Sequence, residues 1–435
     1  MGIMDAVGLL AIGLVIVGTD AAAGAAAPRV VALDPAAMGA RVIGGEVRIG
    51  GQVVRVKDVE RLDIEPAEEI AVRDEPIAIA DGEINHWIGG TSLPGVLDRR
   101  AEVRLWGCLK PGTLVVKSAP DGEPYARGRD YEVDETWGAA VRLPTGRIAE
   151  KATVYASYTY GLERLDTVQV DAKGWVSVRR GKSEKICPLP AGAEKGCRAI
   201  ANIYVSYHAP AISRDLIYPI GPRVKPVISR DPQRYVAHTL RKLRAGGPVT
   251  VVFLGDSVTA GGNASSPAYR FPNLFASRLQ RMFPRSQVTM INAGVGGSNS
   301  DFGLQRLDKD VLAHRPDLVV TEFVNDMGWP REKILHNYAE LVRRIRANGE
   351  TDIIICTPHL MAEFFMGKFD AAAQALRDSA AENGVGLADV SRMWRDLAGQ
   401  GIPYLTLLAN RINHPDNRGH RLFADALIEF FKGTE

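Results

Sequence analysis

The sequence predicts an α/β chain in two parts: a three-layer α/β/α sandwich on a five-stranded parallel sheet over residues 246–435, preceded by β-rich modules over 28–222. Two observations predict it. After residue 246, short apolar runs alternate regularly with amphipathic stretches, the pattern of parallel strands joined by crossover helices. Before residue 222 the runs carry β-branched and aromatic residues, are broken by Gly, Asp, Pro and Lys, and show no sustained helical period.

In the second part, strands are expected at 249–254, 287–291, 317–323, 352–356 and 385–389, and helices at 269–282, 302–314, 330–348, 370–383 and 419–432. In the first part, strands fall within 47–56, 113–117, 152–160, 166–178 and 199–207, with a hairpin loop at 171–174 and a division into two modules near Leu165. Pro219, Pro222, Pro226 and Pro232 mark a linker, and 223–245 holds that linker and a helix capped by Asp231 with Pro232 at its first position.

A length of 435 residues with 46% hydrophobic content is enough for two or three domains with sizeable cores. The net charge of +2, with basic residues dispersed among 51 acids, argues against a nucleic-acid surface. The apolar run from Ala6 to Gly18, followed by the small residues Ala21 to Ala27, has the length of a signal-peptide core and is short for a membrane span. Residues 1–27 are therefore expected to be a signal peptide or anchor, and the protein secreted or periplasmic, although Asp5 is the only charge before the run. Under that expectation Cys187 and Cys197 could pair, whereas Cys356, at a strand end, is expected to be a buried thiol. No Cys/His spacing fits a zinc site, and neither a metal nor an organic cofactor is expected.

The stretch VTVVFLGDSVTAGG (249–262) organises the second part. Its apolar run reads as a strand buried on both faces, and Ser257 falls on the turn into the next helix, where open α/β sheets bind ligands. A lone serine there is usually structural. Three further stretches, however, succeed strands or precede the last helix: NAGVGG (292–297), Val324-Asn325-Asp326, and NHPDNRGH (413–420).

Together these motifs, over roughly 240–431, resemble the SGNH (GDSL-type) hydrolase family, and the resemblance implies the same flavodoxin-like sandwich. It implies Ser257 as nucleophile, His414 as general base, and an oxyanion hole from the backbone N–H of Ser257 and Gly297 and the side chain of Asn325. The residue types suit that chemistry. A serine hydroxyl needs an imidazole to take its proton and return it to the leaving alcohol, and fixed donors stabilise the tetrahedral oxyanion. Asp256 is expected to brace the turn, Glu322 to join a polar network, and His420 to start the last helix structurally.

Two positions depart from the family. Phe323 stands where glycine is common, a subfamily variation. Arg411 stands where the family has the aspartate of D-x-x-H, so the group orienting His414 is open: Asn410 or a backbone carbonyl, a distant carboxylate such as Asp389 or Asp416, or none, leaving an impaired enzyme. The connection 359–370, HLMAEFFMGKFD, forms either an apolar wall accepting an acyl group or the buried face of a short helix. Trp87, Trp106, Trp137 and Trp175 all lie in the β-rich part, where core packing is the expected use of most and sugar stacking the alternative. The reading is a serine esterase acting on a small-molecule or polysaccharide ester, with short acyl groups such as acetyl favoured by the resemblance. A lipase or thioesterase for longer chains and a non-catalytic glycan-binding protein are the alternatives.

Overall fold

Among the described residues, the strands of the β-rich part pair antiparallel, and its cores divide it by packing rather than by sequence order. The structure, a computed structural model, describes residues 26–433 apart from 85, 87 and 224. Nearly all of the expected leader at 1–27, and Trp87, thus lie outside the described residues. The strands Arg29–Ala32, Gly39–Ile43 and Val59–Asp63 form one sheet. A four-stranded sheet orders Val176–Arg179, Arg164–Val170, Arg198–Val205 and Ile217–Pro219. Ala40, Val168, Ile203 and Val205 of these two sheets share one core with Ile64. The intervening chain makes a second core, in which Ile77, Leu93, Val96, Leu105, Val116, Val154 and Tyr158 are buried. The chain passes from the second core back to the first near Leu165, so the strands before residue 64 pack with those after that division. The hairpin expected at 171–174 is present, with Asp171 Oδ1 accepting from the backbone N–H of Lys173 (2.8 Å) and Trp175 (3.0 Å).

The second part is the expected sandwich. Its strands β1 (Val249–Gly255), β2 (Val288–Gly294), β3 (Leu318–Glu322), β4 (Asp352–Cys356) and β5 (Gly386–Ala388) lie in the order β2-β1-β3-β4-β5, every neighbouring pair parallel. The helices are α1 (Ala237–Ala245), α2 (Ser257–Ala260), α3 (Phe271–Met282), α4 (Ser300–Asp310), α5 (Arg331–Ala347), α6 (Phe369–Glu382), α7 (Val390–Asp396) and α8 (Asn417–Ile428). All five expected strands and all five expected helices are present. The helix expected over 302–314 ends as α4 and finishes in a 3-10 turn, and the short α2 and α7 were not anticipated. Strand order reverses direction at β1, since β2 lies to one side of it and β3 to the other. The turns after β1 and β3 therefore open into the crevice where such sheets hold ligands.

Two expectations about the connection need correction. Asp231 does not cap a helix: it takes φ +49° with no side-chain cap bond, and the chain runs first through a 3-10 turn, Pro232–Val236, before α1. The proline-rich segment is more than a linker, because it covers the exposed edge of the sheet. Ser229 N donates to Leu387 O (3.0 Å), Leu387 N to Ser229 Oγ (2.9 Å) and Asp389 N to Val227 O (2.8 Å), satisfying edge groups that a bare strand leaves open. Cys187 and Cys197 are both free thiols, and Cys356 is buried at the end of β4 as expected. Among the described residues, no helix is long and apolar enough to cross a membrane.

Candidate active site

Strand β1 ends in Gly255 and the chain turns sharply into α2, whose first residue is Ser257. The turn is held by Asp256, fully buried, with Oδ1 accepting from Val258 N (2.9 Å) and Oδ2 from Asn325 N (3.1 Å). One carboxylate thereby ties the end of β1 to the end of β3, the bracing role expected of it. Burial pushes its pKa up to about 7. Arg306, on α4, donates to Gly255 O (2.8 Å) and Ala293 O (2.6 Å), clamping the ends of β1 and β2 together. No local signal in the sequence marks that arginine.

His414 approaches from the loop before α8. Its Nε2 lies 2.9 Å from Ser257 Oγ, and the residue is 9% exposed. The loop is shaped by Asn410, whose Oδ1 accepts from the backbone N–H of Ile412, Asn413 and His414, each at 2.9 Å. Gly262 packs against the ring, where a Cβ would come within 2.8 Å of Nδ1. Burial pulls the imidazole below its ordinary pKa, which keeps it a neutral base at pH 7, and the Glu102 carboxylate opposes that shift.

None of the three side chains expected to orient His414 bonds its other nitrogen. Asn410 is occupied with the loop backbone. Asp389 caps α7 and pairs with Arg377 (2.8 Å), and Asp416 caps α8 and pairs with Arg418 (2.7 Å). Nδ1 instead meets Asn263 Oδ1 at 2.6 Å and Glu102 Oε2 at 3.3 Å. Asn263 Nδ2 donates to Arg100 O (2.5 Å), which fixes the amide orientation and leaves Oδ1 to accept the Nδ1 proton. Nε2 is then the free acceptor facing Ser257. Asn263 sits at φ +59°, a conformation Asn tolerates, so its place directly after Gly261-Gly262 was the one available signal. Glu102, from the β-rich half, carried none.

The residues expected at the oxyanion hole fall after β2 and β3, the two strands that flank β1. Asn325 comes after β3, with one N–H of its side chain donating to Ser298 O (2.7 Å). Gly297 lies in the turn after β2 at φ +70°; a Cβ there would meet nothing within 4 Å, so the requirement for glycine is conformational rather than one of close approach. Behind these turns Glu322 and Asp326 are also fully buried. Thr259 Oγ1 donates to Glu322 Oε2 (3.0 Å), and Asp326 Oδ1 accepts from Ser300 N (3.0 Å). Burial raises Glu322 well above its ordinary range and Asp326 to about 6. His420 stacks on Phe271 and contacts Gly262 O (3.3 Å), consistent with a structural role.

The connection after β4 divides in two, and its 3-10 segment Glu363–Lys368 buries no residue, so it is not the buried face of a short helix. Leu360 and Met361 are sealed in the core, while Phe364 and Phe365 remain 45% and 37% exposed. Phe364 packs on Trp106 and Trp137 of the β-rich half, with ring centroids 5.5 and 6.0 Å apart. Trp137 is buried and Trp175 is 74% exposed beside its hairpin. Cross-contacts between the halves continue at Arg411, which is 6% exposed. Its guanidinium bonds Glu163, lies 3.2 Å from Tyr204 Oη and sits 4.3 Å over the Tyr207 ring.

Residues 253–422 match the GDSL-like Lipase/Acylhydrolase family. An arylesterase from Vibrio mimicus is 30% identical over 109 residues, 24% of this chain and 52% of the arylesterase. Among solved structures, a two-domain esterase active on acetylated mannans shares 25% identity at a TM-score of 0.40, over 45% of this chain and 52% of that one. A lipase/acylhydrolase from Enterococcus faecalis shares 22% identity at a TM-score of 0.36, over 42% and 94%. The chain thus spans about half the length of the curated relative it matches.

Proposed function

We propose, from the match of residues 253–422 to the GDSL-like Lipase/Acylhydrolase family, that this chain is a serine esterase working through an acyl-enzyme. The observation that carries the reading is the 2.9 Å contact between Ser257 Oγ and a His414 Nε2 whose partner nitrogen is already committed to Asn263. Ser257 attacks the acyl carbonyl while Nε2 takes its proton, and the same proton passes to the departing alcohol. The oxyanion is met by the N–H groups of Ser257 and Gly297 and by the Asn325 amide, each such donor being worth roughly 3 kcal/mol. Water then repeats the sequence and releases the acid.

Short acyl groups on a hydroxyl-rich alcohol such as a carbohydrate suit the site best. Of the apolar residues expected to wall an acyl channel, Leu360 and Met361 are buried in the core and Phe364 packs on Trp106 and Trp137, while polar Asn263 and Glu102 flank the histidine. A p-nitrophenyl ester series from acetate to octanoate tests this, run beside Ser257→Ala and then extended to acetate release from acetylated polysaccharides. Turnover should be highest at acetate and fall by roughly 10⁴-fold or more in the variant. Equal turnover in the variant would end the esterase reading; a maximum at octanoate would end the short-acyl part of it.

A further inference from the structure

The histidine of this site has its second nitrogen at the boundary between the two halves of the chain. Glu102 belongs to the β-rich half, on a segment secured on both sides. Leu105 N donates to Val96 O (2.9 Å), and Ala101 N to Asp98 O (3.0 Å). Arg104, buried, donates to Ser92 Oγ (2.8 Å) and His86 O (3.0 Å). Arg100 O accepts from Asn263 Nδ2 of the other half (2.5 Å). An exposed carboxylate is ordinarily free to turn into water, but here the backbone on either side of it is pinned and the side chain ends 3.3 Å from His414 Nδ1.

We infer that Glu102 supplies the acid of this active site across the boundary, as a positioning residue acting through His414 together with Asn263, so that the C-terminal half holds a complete catalytic set only while the β-rich half is docked on it. This rests on the esterase reading above. The two partners of Nδ1 divide the work. Asn263 Oδ1 accepts the proton and holds the tautomer, while Glu102 contributes the negative charge that a neutral amide lacks when the imidazolium forms. Arg411 fits the same arrangement. The position at which the family carries its aspartate holds instead the cation that clasps Glu163 and Tyr204 of the β-rich half, and that same half returns a carboxylate to the histidine. The other charged and ionisable groups near the ring do not compete. His359 and His420 are kept neutral by burial, at about 3 and about 4, and the Arg100 guanidinium is turned to Asp98 and Glu184.

The effect should be smaller than deletion of a buried triad acid, which costs about 10⁴ in rate largely through the wrong tautomer. Here the tautomer survives on Asn263, and the Glu102 side chain is 62% exposed and partly screened. Removing the charge should cost about tenfold, roughly 1.4 kcal/mol. The test compares the full chain with Glu102→Gln, Glu102→Gln/Asn263→Asp and Ser257→Ala, by p-nitrophenyl acetate kinetics from pH 5 to 9 and by NMR titration of the His414 ring. For Glu102→Gln, kcat should fall about tenfold with KM within about twofold. The acid limb of kcat/KM and the ring pKa should both move down by about one unit, because the carboxylate that favoured the imidazolium is gone. The double variant, with a carboxylate restored at 263, should recover the ring pKa.

An unmoved ring pKa and wild-type kcat in Glu102→Gln, with Ser257→Ala inactive, would overturn this inference and leave the esterase reading intact. A ring pKa that moves as stated in a protein without Ser257-dependent turnover would uphold the coupling and overturn the esterase reading instead.

Discussion

Substitution of Arg411 by methionine removes the cation from a buried cluster at the boundary of the two halves, and its cost can be worked from the contacts. Arg411 and Glu163 are 6% and 1% exposed, so neither charge has water to fall back on. The variant loses the bonds to Glu163 and Tyr204 and the stacking on Tyr207, and it leaves Glu163 buried without its cation. Breaking one side of such a pair costs about 3–5 kcal/mol, a large share of the about 5–15 kcal/mol that stabilises a typical domain. Because the cluster joins the halves, undocking should precede global unfolding. Urea titration monitored by intrinsic fluorescence and by esterase turnover should show activity lost well before the main transition in Arg411→Met, and together with it in the wild type. Glu163→Met added to Arg411→Met should recover much of the loss, since the unpaired buried carboxylate is the larger part of the cost. A change below about 1 kcal/mol with coincident transitions would refute the reasoning. So would a double variant no more stable than the single one. The same geometry predicts that Arg411→Asp, which recreates D-x-x-H in sequence, fails to improve turnover, because position 411 faces Glu163 rather than the His414 ring.

The remaining expectations concern the buried acids and the histidine loop. Asp256, Glu322 and Asp326 all have pKa values raised by burial, so the folded protein retains protons that the unfolded chain releases. Their contribution to stability is fully present below about pH 4 and is lost as the pH rises through about 6 to 7. Asp326→Asn keeps an acceptor for Ser300 N and should flatten the fall of Tm between pH 5 and 8, by roughly 2–3 kcal/mol at the alkaline end. Parallel Tm curves for variant and wild type would count against it. Asn410→Ala strips one acceptor from three backbone N–H groups at once, and should lower stability by about 1–3 kcal/mol and kcat by about tenfold with little change in KM. Asn410→Asp, which offers the same acceptor, should retain most activity; equal losses in both would point to a requirement other than the loop bonds.

Much of the catalytic half was legible because its signals are local. A buried parallel strand is an apolar run whatever surrounds it, and a crossover helix is a periodic stretch, so all five strands of the sheet and the turns bearing Ser257, Gly297 and Asn325 can be read from short windows of sequence. Where local rules competed with packing, packing prevailed. The proline-rich segment lies along β5 because an uncovered edge would leave backbone groups unsatisfied, and Asp231 yields its capping role to a turn that fits that path.

The α/β/α sandwich, the strand ends at which chemistry is placed and the candidacy of Ser257 and His414 were all readable from the chain alone. What holds the histidine emerged from packing alone. Asn410, Asp389 and Asp416 are near in sequence or reasonable in type, yet each spends its oxygens on backbone or on an arginine. Asn263 and Glu102 reach Nδ1 because the turn after α2 and a pinned segment of the β-rich half converge there. A periodicity repeats within one element and can be read from it. A contact between two surfaces far apart in sequence depends on how they pack, and no window of the chain contains both partners.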